Sequence, residues 1–409
     1  MNNDFKRFSL TAGSFIAAAT LVACGGGGGS PGTPTRTPPA NMGRISASLT
    51  DAPACGFDAV NITVSKVRVH QSSTAAETEA GWTDITLATP RKINLLNLTN
   101  GTVDVLGEAA VAPGKYTQVR LVLDANTGNG LANSVVPTGG VERPLDTPSA
   151  VQSGLKLIGN VDVVAGAKTD IVIDFDACKS VLTRGNGNYA LKPVVKLVPA
   201  VLNGISGFVS TAQLAAKPVV SAQQNGVIVS ATVPSATGEF RLARLPAGNY
   251  DVVITADGTA ASVIGAVPVS ATAITAVSTT TAPILLRTSA TGISGAISGV
   301  ALLSPVSTTV GAYVAAKQSL ALGPTVTVKY AGADVSSGAY TITGLPLANP
   351  NYAVYSAALP LFFTTNAASP GFARYTVEAT ADGYATVVRT LPVDVSAANA
   401  VNINFTLIP

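Results

Sequence analysis

From residue 44 to the end, the chain is written in short apolar runs rich in Val, Ile and Thr, each closed by Gly, Pro, Asn or Asp. This punctuation constrains the fold more than any other feature. Residues 45–49, 60–69, 119–123, 171–175 and 191–198 read as strands, because β-branched side chains suit a pleated, half-buried surface. Within 60–69 the alternation changes phase: Val60, Ile62 and Val64 share one face, and Val67 and Val69 the other. A β-bulge near Ser65 explains this, as does burial on both faces. Residues 94–98 suit either a strand or a helical turn. Arg184-Gly-Asn-Gly-Asn188 reads as a hairpin turn. One all-β domain is therefore expected over 44–200.

Two later segments repeat each other. Gly204-Ile-Ser-Gly matches Gly292-Ile-Ser-Gly, and Gly238-Glu-Phe-Arg-Leu-Ala-Arg-Leu-Pro246 matches Gly338-Ala-Tyr-Thr-Ile-Thr-Gly-Leu-Pro346. Ala256-Asp-Gly258 matches Ala381-Asp-Gly383. Phe240 and Leu242 alternate on an inner face, Pro246-Ala-Gly248 turns the chain, and Tyr250, Val252 and Ile254 return. Gly-x-Tyr at the start of the return strand predicts a tyrosine corner. Between Pro346 and Tyr375 the second copy carries extra residues, where Pro350, Pro360 and Pro370 predict a long loop.

These copies resemble the carboxypeptidase regulatory-like, transthyretin-like family, with domains over 204–291 and 292–409. The first copy has Leu245-Pro-Ala-Gly-Asn-Tyr250 but Thr259 in place of the family's final Tyr. The second has Ala381-Asp-Gly-Tyr384 but no Pro-x-Gly turn. Residues 44–200 resemble domain of unknown function 4382, through Leu49-Thr-Asp-Ala-Pro53, Val64-Ser-Lys-Val-Arg68, Gly81-Trp82, Ile93-Asn-Leu-Leu96, Tyr116-Thr-Gln-Val-Arg-Leu121 and Asp174-Phe-Asp-Ala-Cys-Lys179. That family is found in secreted lipoproteins and implies no established activity. Together the resemblances imply three tandem β-sandwich domains of prealbumin or immunoglobulin-like type.

The amino terminus reads as an address. Lys6 and Arg7 precede a small-residue apolar stretch over 8–18, the pattern of a secretory signal over 1–23. Leu21-Val22-Ala23-Cys24 resembles the lipobox of bacterial lipoproteins, which implies cleavage before Cys24 and acylation of its thiol. Two or three acyl chains anchor durably where one does not. Gly25 in place of an inner-membrane-retaining Asp implies the outer membrane, on its periplasmic or surface face. Residues 24–43 hold Cys24 and then mostly Gly, Ser, Thr and Pro, which read as a disordered tether whose span is roughly 25 Å.

Composition removes several chemistries. One histidine excludes a three-histidine zinc site, and three cysteines exclude a four-cysteine one. The 25 basic and 22 acidic residues are dispersed, which argues against nucleic acid as a partner. Cys55 and Cys178 are the cysteines left after lipidation. In an exported chain they are most simply a disulfide, with two separate thiols as the rival. His70 ends a strand and is expected to be exposed and polar rather than a catalytic base, since no nucleophile elbow accompanies it. Asp174 and Asp176 flank Phe175, so their carboxylates leave one face about 7 Å apart. They are structural, or bind Ca²⁺ with Asp51 or Asp58, or serve hydrolysis. Trp82, Tyr116 and Tyr189 make a stacking platform for sugar or belong to the cores.

The expected function is non-enzymatic: a lipid-anchored envelope binding or display protein, with polysaccharide or an envelope protein as partner and no cofactor unless calcium. The alternatives are a structural spacer in an envelope assembly and a hydrolase using the Asp174/Asp176 region. The lipid anchor predicts that a palmitate analogue labels the wild-type chain in growing cells and that Cys24→Ser abolishes both labelling and detergent-phase partitioning.

Overall fold

The computed structural model describes residues 41–51, 56–128, 130–185, 187–289 and 294–409. The signal, Cys24 and nearly all of the tether lie outside them. Strands dominate what is described, as the sequence predicts. No helix among the described residues is long and apolar enough to cross a membrane.

The first sandwich closes two sheets over one core. In the smaller sheet, Gly43–Asp51 runs parallel to Lys168–Phe175 and antiparallel to Asp104–Val111. In the larger, Phe57–His70 pairs with Gly114–Leu123, Ser134–Pro137 and Thr83–Asn94. The predicted bulge is present, with the register shifting between Val64 and Lys66 against both long neighbours. It restores the phase, so Val60, Ile62, Val64, Val67 and Val69 all enter the same core. Residues 95–97 form a 3₁₀ turn, capped by the Asn94 side chain accepting from the Leu96 N–H.

The second sandwich packs Gly204–Phe208, Glu239–Ala243 and Ile274–Ala276 over a sheet containing Val219–Gln224, Gly248–Thr255 and Ser262–Val269. The third packs Ser294–Leu303, Ala339–Pro346 and Phe405–Leu407 over a sheet containing Thr325–Gly332, Tyr313–Leu320 and Arg374–Thr380. Phe240, Leu242 and Tyr250 meet in the second core, and Tyr340, Ile342 and Tyr375 in the third.

All three sandwiches have a tyrosine whose hydroxyl donates to a backbone carbonyl before its strand. Tyr116 donates to Ala112 O at 3.0 Å, Tyr250 to Pro246 O at 2.8 Å and Tyr375 to Pro346 O at 2.6 Å. In the third, residues 347–374 lie between the two partners, so the corner fixes where the extra chain leaves and returns. This stretch, expected to be a long loop, is mostly irregular but carries three short strands. Asn351–Val354 adds in parallel to Ser262–Val269 of the second sandwich, and Thr364–Thr365 pairs beyond it. Tyr355, Leu361 and Phe363 then pack on the second core. Gly265 makes the close approach possible, since a Cβ there would lie 2.5 Å from the Tyr352 hydroxyl.

Side chains seal the remaining seams. Gln223 is fully buried; its Nε2 donates to Thr327 O and its Oε1 accepts from Thr327 N, both at 2.8 Å. Thr325–Gly332 is an edge strand, so one amide satisfies backbone groups that the ladder leaves over. Asn100 of the first sandwich accepts from Arg241 N and Thr232 Oγ1 of the second, and donates to Val233 O. Between first and third, Asp334 accepts from Gly185 N, Val335 N donates to Thr183 O, and Tyr313 donates to Lys179 O. Each sandwich thus touches both others. They follow one another in sequence but do not form an open row, and residues 40–409 make one compact unit.

Gln223→Ala leaves the Thr327 N–H and C=O buried and unpaired. We expect a loss of about 2–4 kcal/mol in chemical denaturation, with faster proteolysis between residues 347 and 374.

Candidate functional site

Where the three sandwiches meet they enclose a cavity of about 580 Å³, a volume usual for small-ligand sites. Leu182 and Thr183 come from the first sandwich, Lys217 and Asp257 from the second, and Tyr313 and Lys329 from the third. Alternation along Ala339–Pro346 sends Tyr340 and Ile342 into the core and turns Thr341 and Thr343 outward, where they line the cavity.

Lys329 is half-buried and makes no ion pair among the described residues. Burial holds its ammonium below the usual lysine range, with partial compensation by the Asp257 carboxylate. The two groups flank bare backbone at Gly344. A Cβ there would lie 3.3 Å from Asp257 Oδ1 and 3.7 Å from Lys329 Nζ. Asp257 belongs to the repeated Ala-Asp-Gly turn. In the other copy Asp382 closes on Lys192 of the first sandwich at 2.7 Å. The same turn therefore faces a lysine twice, once closed and once across a gap.

The residues singled out from sequence do not converge on this cavity, apart from Cys178 in its wall. Asp174 lies at the seam between the first and second sandwiches, 3.2 Å from Lys196, beside a recess of about 20 Å³ that holds one water at most. Asp176 is not a strand residue. It caps the short helix Ala177–Ser180, accepting from Lys179 N, and pairs with Lys179 at 3.4 Å. The expected pair of similar carboxylates is thus one half-buried aspartate paired with an exposed lysine and one helix cap. Asp58 accepts from Gly139 N. Asp51 ends its strand opposite Phe175, but its side chain is outside the described set, as is Cys55. Among the described residues no cluster of three or more His, Cys, Asp or Glu could hold a metal.

His70 was expected to be exposed and is 7% exposed. Its Nδ1 accepts from Ser72 N and its Nε2 therefore donates to Ala80 O at 3.0 Å, which leaves no nitrogen for base chemistry. The aromatic platform is not assembled. Tyr116 is a core tyrosine spent on its corner, 3% exposed. Tyr189 meets Phe57 edge-on. Trp82 lies 4.9 Å from the guanidinium carbons of both Arg68 and Arg120 and donates to Ala76 O. It pins the segment between His70 and Thr83 onto the outer face of the larger sheet.

Sequence reasoning missed Lys329, Asp257, Thr341 and Thr343. The signals that point to them are the Ala-Tyr-Thr-Ile-Thr alternation, which turns the threonines outward, and the repeated Ala-Asp-Gly, which marks the turn. Nothing local marked Lys329, whose setting depends on a sandwich about 100 residues earlier in the chain.

Comparison with known proteins agrees with part of this organisation. Residues 42–193 match the family described as Domain of unknown function (DUF4382). The first sandwich carries a DUF4382 domain. No curated protein matches the chain. Among solved structures, the Bacillus anthracis TIE protein aligns at 11% identity over 90% of this chain and 50% of its own, with a TM-score of 0.17. Two B repeat units of the Staphylococcus aureus collagen binding protein align at 12% identity over 90% and 98%, with a TM-score of 0.17. BcpA, the major pilin subunit of Bacillus cereus, aligns at 12% over 89% and 99%, with a TM-score of 0.15. This chain spans half the length of the first. Scores this low carry no argument about function, and the all-β architecture rests on the strands themselves.

Burial raises the Asp174 carboxyl above the ordinary aspartate range despite Lys196, the nearest opposing charge. The folded state therefore binds this proton more tightly than the unfolded chain does. The resulting stability is present at low pH and is lost as pH rises through that raised value. Asp174→Asn should consequently gain on the wild type as pH climbs above about 4, read as the difference between their urea midpoints from pH 3 to 7.

Proposed function

We propose that this protein is a lipid-anchored, non-enzymatic binding protein of the bacterial outer envelope, with glycan as its ligand. The observation that carries this reading is the open cavity at the three-sandwich junction. Its lining includes serine and threonine hydroxyls and two lysines, Lys217 and Lys329, that make no ion pair among the described residues, a composition suited to holding a polar ligand. The groups that the sequence offered for hydrolysis are engaged elsewhere: His70 through both nitrogens, Asp174 with Lys196, and Asp176 as a cap. The later sandwiches are carboxypeptidase regulatory-like domains, and Cys24 carries the acyl chains. Cys55 and Cys178 form a disulfide in the exported protein. The parallel pairing of Asp51 with Phe175 supports it, since it ends two neighbouring strands a few residues before each cysteine. A loop of that length stabilises by about 4–5 kcal/mol in the chain-entropy account.

One observation favours the structural spacer as a second reading. Beside a recess of about 440 Å³ lined by Pro283, Leu285, Leu361 and Phe363, Phe362 is 85% exposed and Leu285 70% exposed. Such an apolar edge suits a protein neighbour.

Retention of the full-length protein in detergent on immobilised polysaccharides, peptidoglycan included, separates the two. Saturable retention that Lys329→Met weakens supports glycan binding through the cavity. Absence of retention on every matrix, with an envelope protein captured by cross-linking near Phe362, supports the spacer.

A further inference from the structure

Lys329 presents a physical problem that the fold does not solve. Its ammonium has lost part of its hydration, and the carboxylate facing it stands across a gap rather than in contact. An unpaired, partly desolvated charge is costly unless something pairs with it. The second Ala-Asp-Gly turn shows the paired alternative, with Asp382 and Lys192 at 2.7 Å. At Asp257 the gap lies over residue 344, which has no side chain to fill it. Gly344 also has a φ of +70°, which disfavours any larger residue.

Three other features define what fits. Thr341 and Thr343 point two hydroxyls from the same strand face into the cavity. Asp257 is acceptor-only when ionised, so it suits ligand hydroxyls and repels a multiply charged anion. Tyr313 gives an aromatic wall, the surface on which the apolar face of a sugar ring stacks. Two lysines against one aspartate, with threonine hydroxyls and an aromatic ring, match a polyol with a single negative charge.

We propose that the cavity binds an acidic sugar, with its carboxylate on Lys329 and its hydroxyls on Asp257, Thr341 and Thr343. This rests on the glycan-binding reading and names the ligand class and the residues. The carboxylate replaces the counter-ion that Asp257 does not supply, and Lys217 at the rim adds a second positive charge on the approach. Discrimination against neutral sugars follows, because they leave the Lys329 ammonium unpaired.

The test is calorimetric titration of the full-length protein in detergent with D-glucuronate, D-glucose and inorganic phosphate. We expect saturable glucuronate binding, glucose at least about ten-fold weaker, and phosphate weaker than glucuronate. Lys329→Met should weaken glucuronate by about ten-fold or more, the usual worth of a charge-assisted hydrogen bond, while Lys329→Arg retains most of it. Near-UV circular dichroism checks the fold of each variant. If Lys329→Met does not fold, the exposed Asp257→Asn substitutes, with a loss of about three-fold or more expected. No glucuronate binding, binding indifferent to these substitutions, or phosphate binding as tightly with the same lysine dependence would each overturn the proposal. Retention on polysaccharide together with any of these results overturns the cavity assignment alone and leaves glycan binding standing.

Discussion

A β-strand at the edge of a sheet exposes a row of N–H and C=O groups that must find partners. Three sandwiches in one chain multiply such edges, and the architecture follows from how they are covered. The Ser262–Val269 edge is covered by a strand from the third sandwich, and the Thr325–Gly332 edge at Thr327 by a glutamine amide from the second. The Asn100 turn supplies the same service where the first sandwich meets the second. These contacts are directional, so they fix orientation where apolar contact alone would permit sliding.

Contacts made through edges and turns do not close flat faces against each other. They leave space where three curved bodies meet, and that space is the cavity. Its chemistry is inherited from the outward faces of strands, which is why threonines and a lysine line it. The cores contribute little to it beyond holding those strands still.

Much of the architecture was legible in local pattern. The bulge at Ser65 followed from a phase change in five apolar residues, and the corner at Tyr250 from Gly-x-Tyr. Both are properties of a few adjacent residues. Tyr116 shows the limit. It sits in the same Gly-x-Tyr setting as Tyr250, yet its aromatic character left a ligand platform and a core position both open. His70 misled for another reason: its burial depends on the segment that Trp82 folds over it, which no pattern at the strand end reveals. The stretch over 347–374 read as a loop because its prolines interrupt every run. Its short strands form only because another sandwich offers them an edge, and tertiary context overrode propensity. Lys329 was invisible for the same reason.

The strand supplied by residues 351–354 also sets an order of events. The chain is synthesised from its N-terminus, so the strand Ser262–Val269 is available about 90 residues before its partner. Until that partner arrives, the second sandwich carries an open edge and part of its apolar core is uncovered, the kind of intermediate that associates with neighbouring chains. The second sandwich thus matures only when the third has been delivered, and a chain truncated between them would present a sticky edge in place of a finished domain.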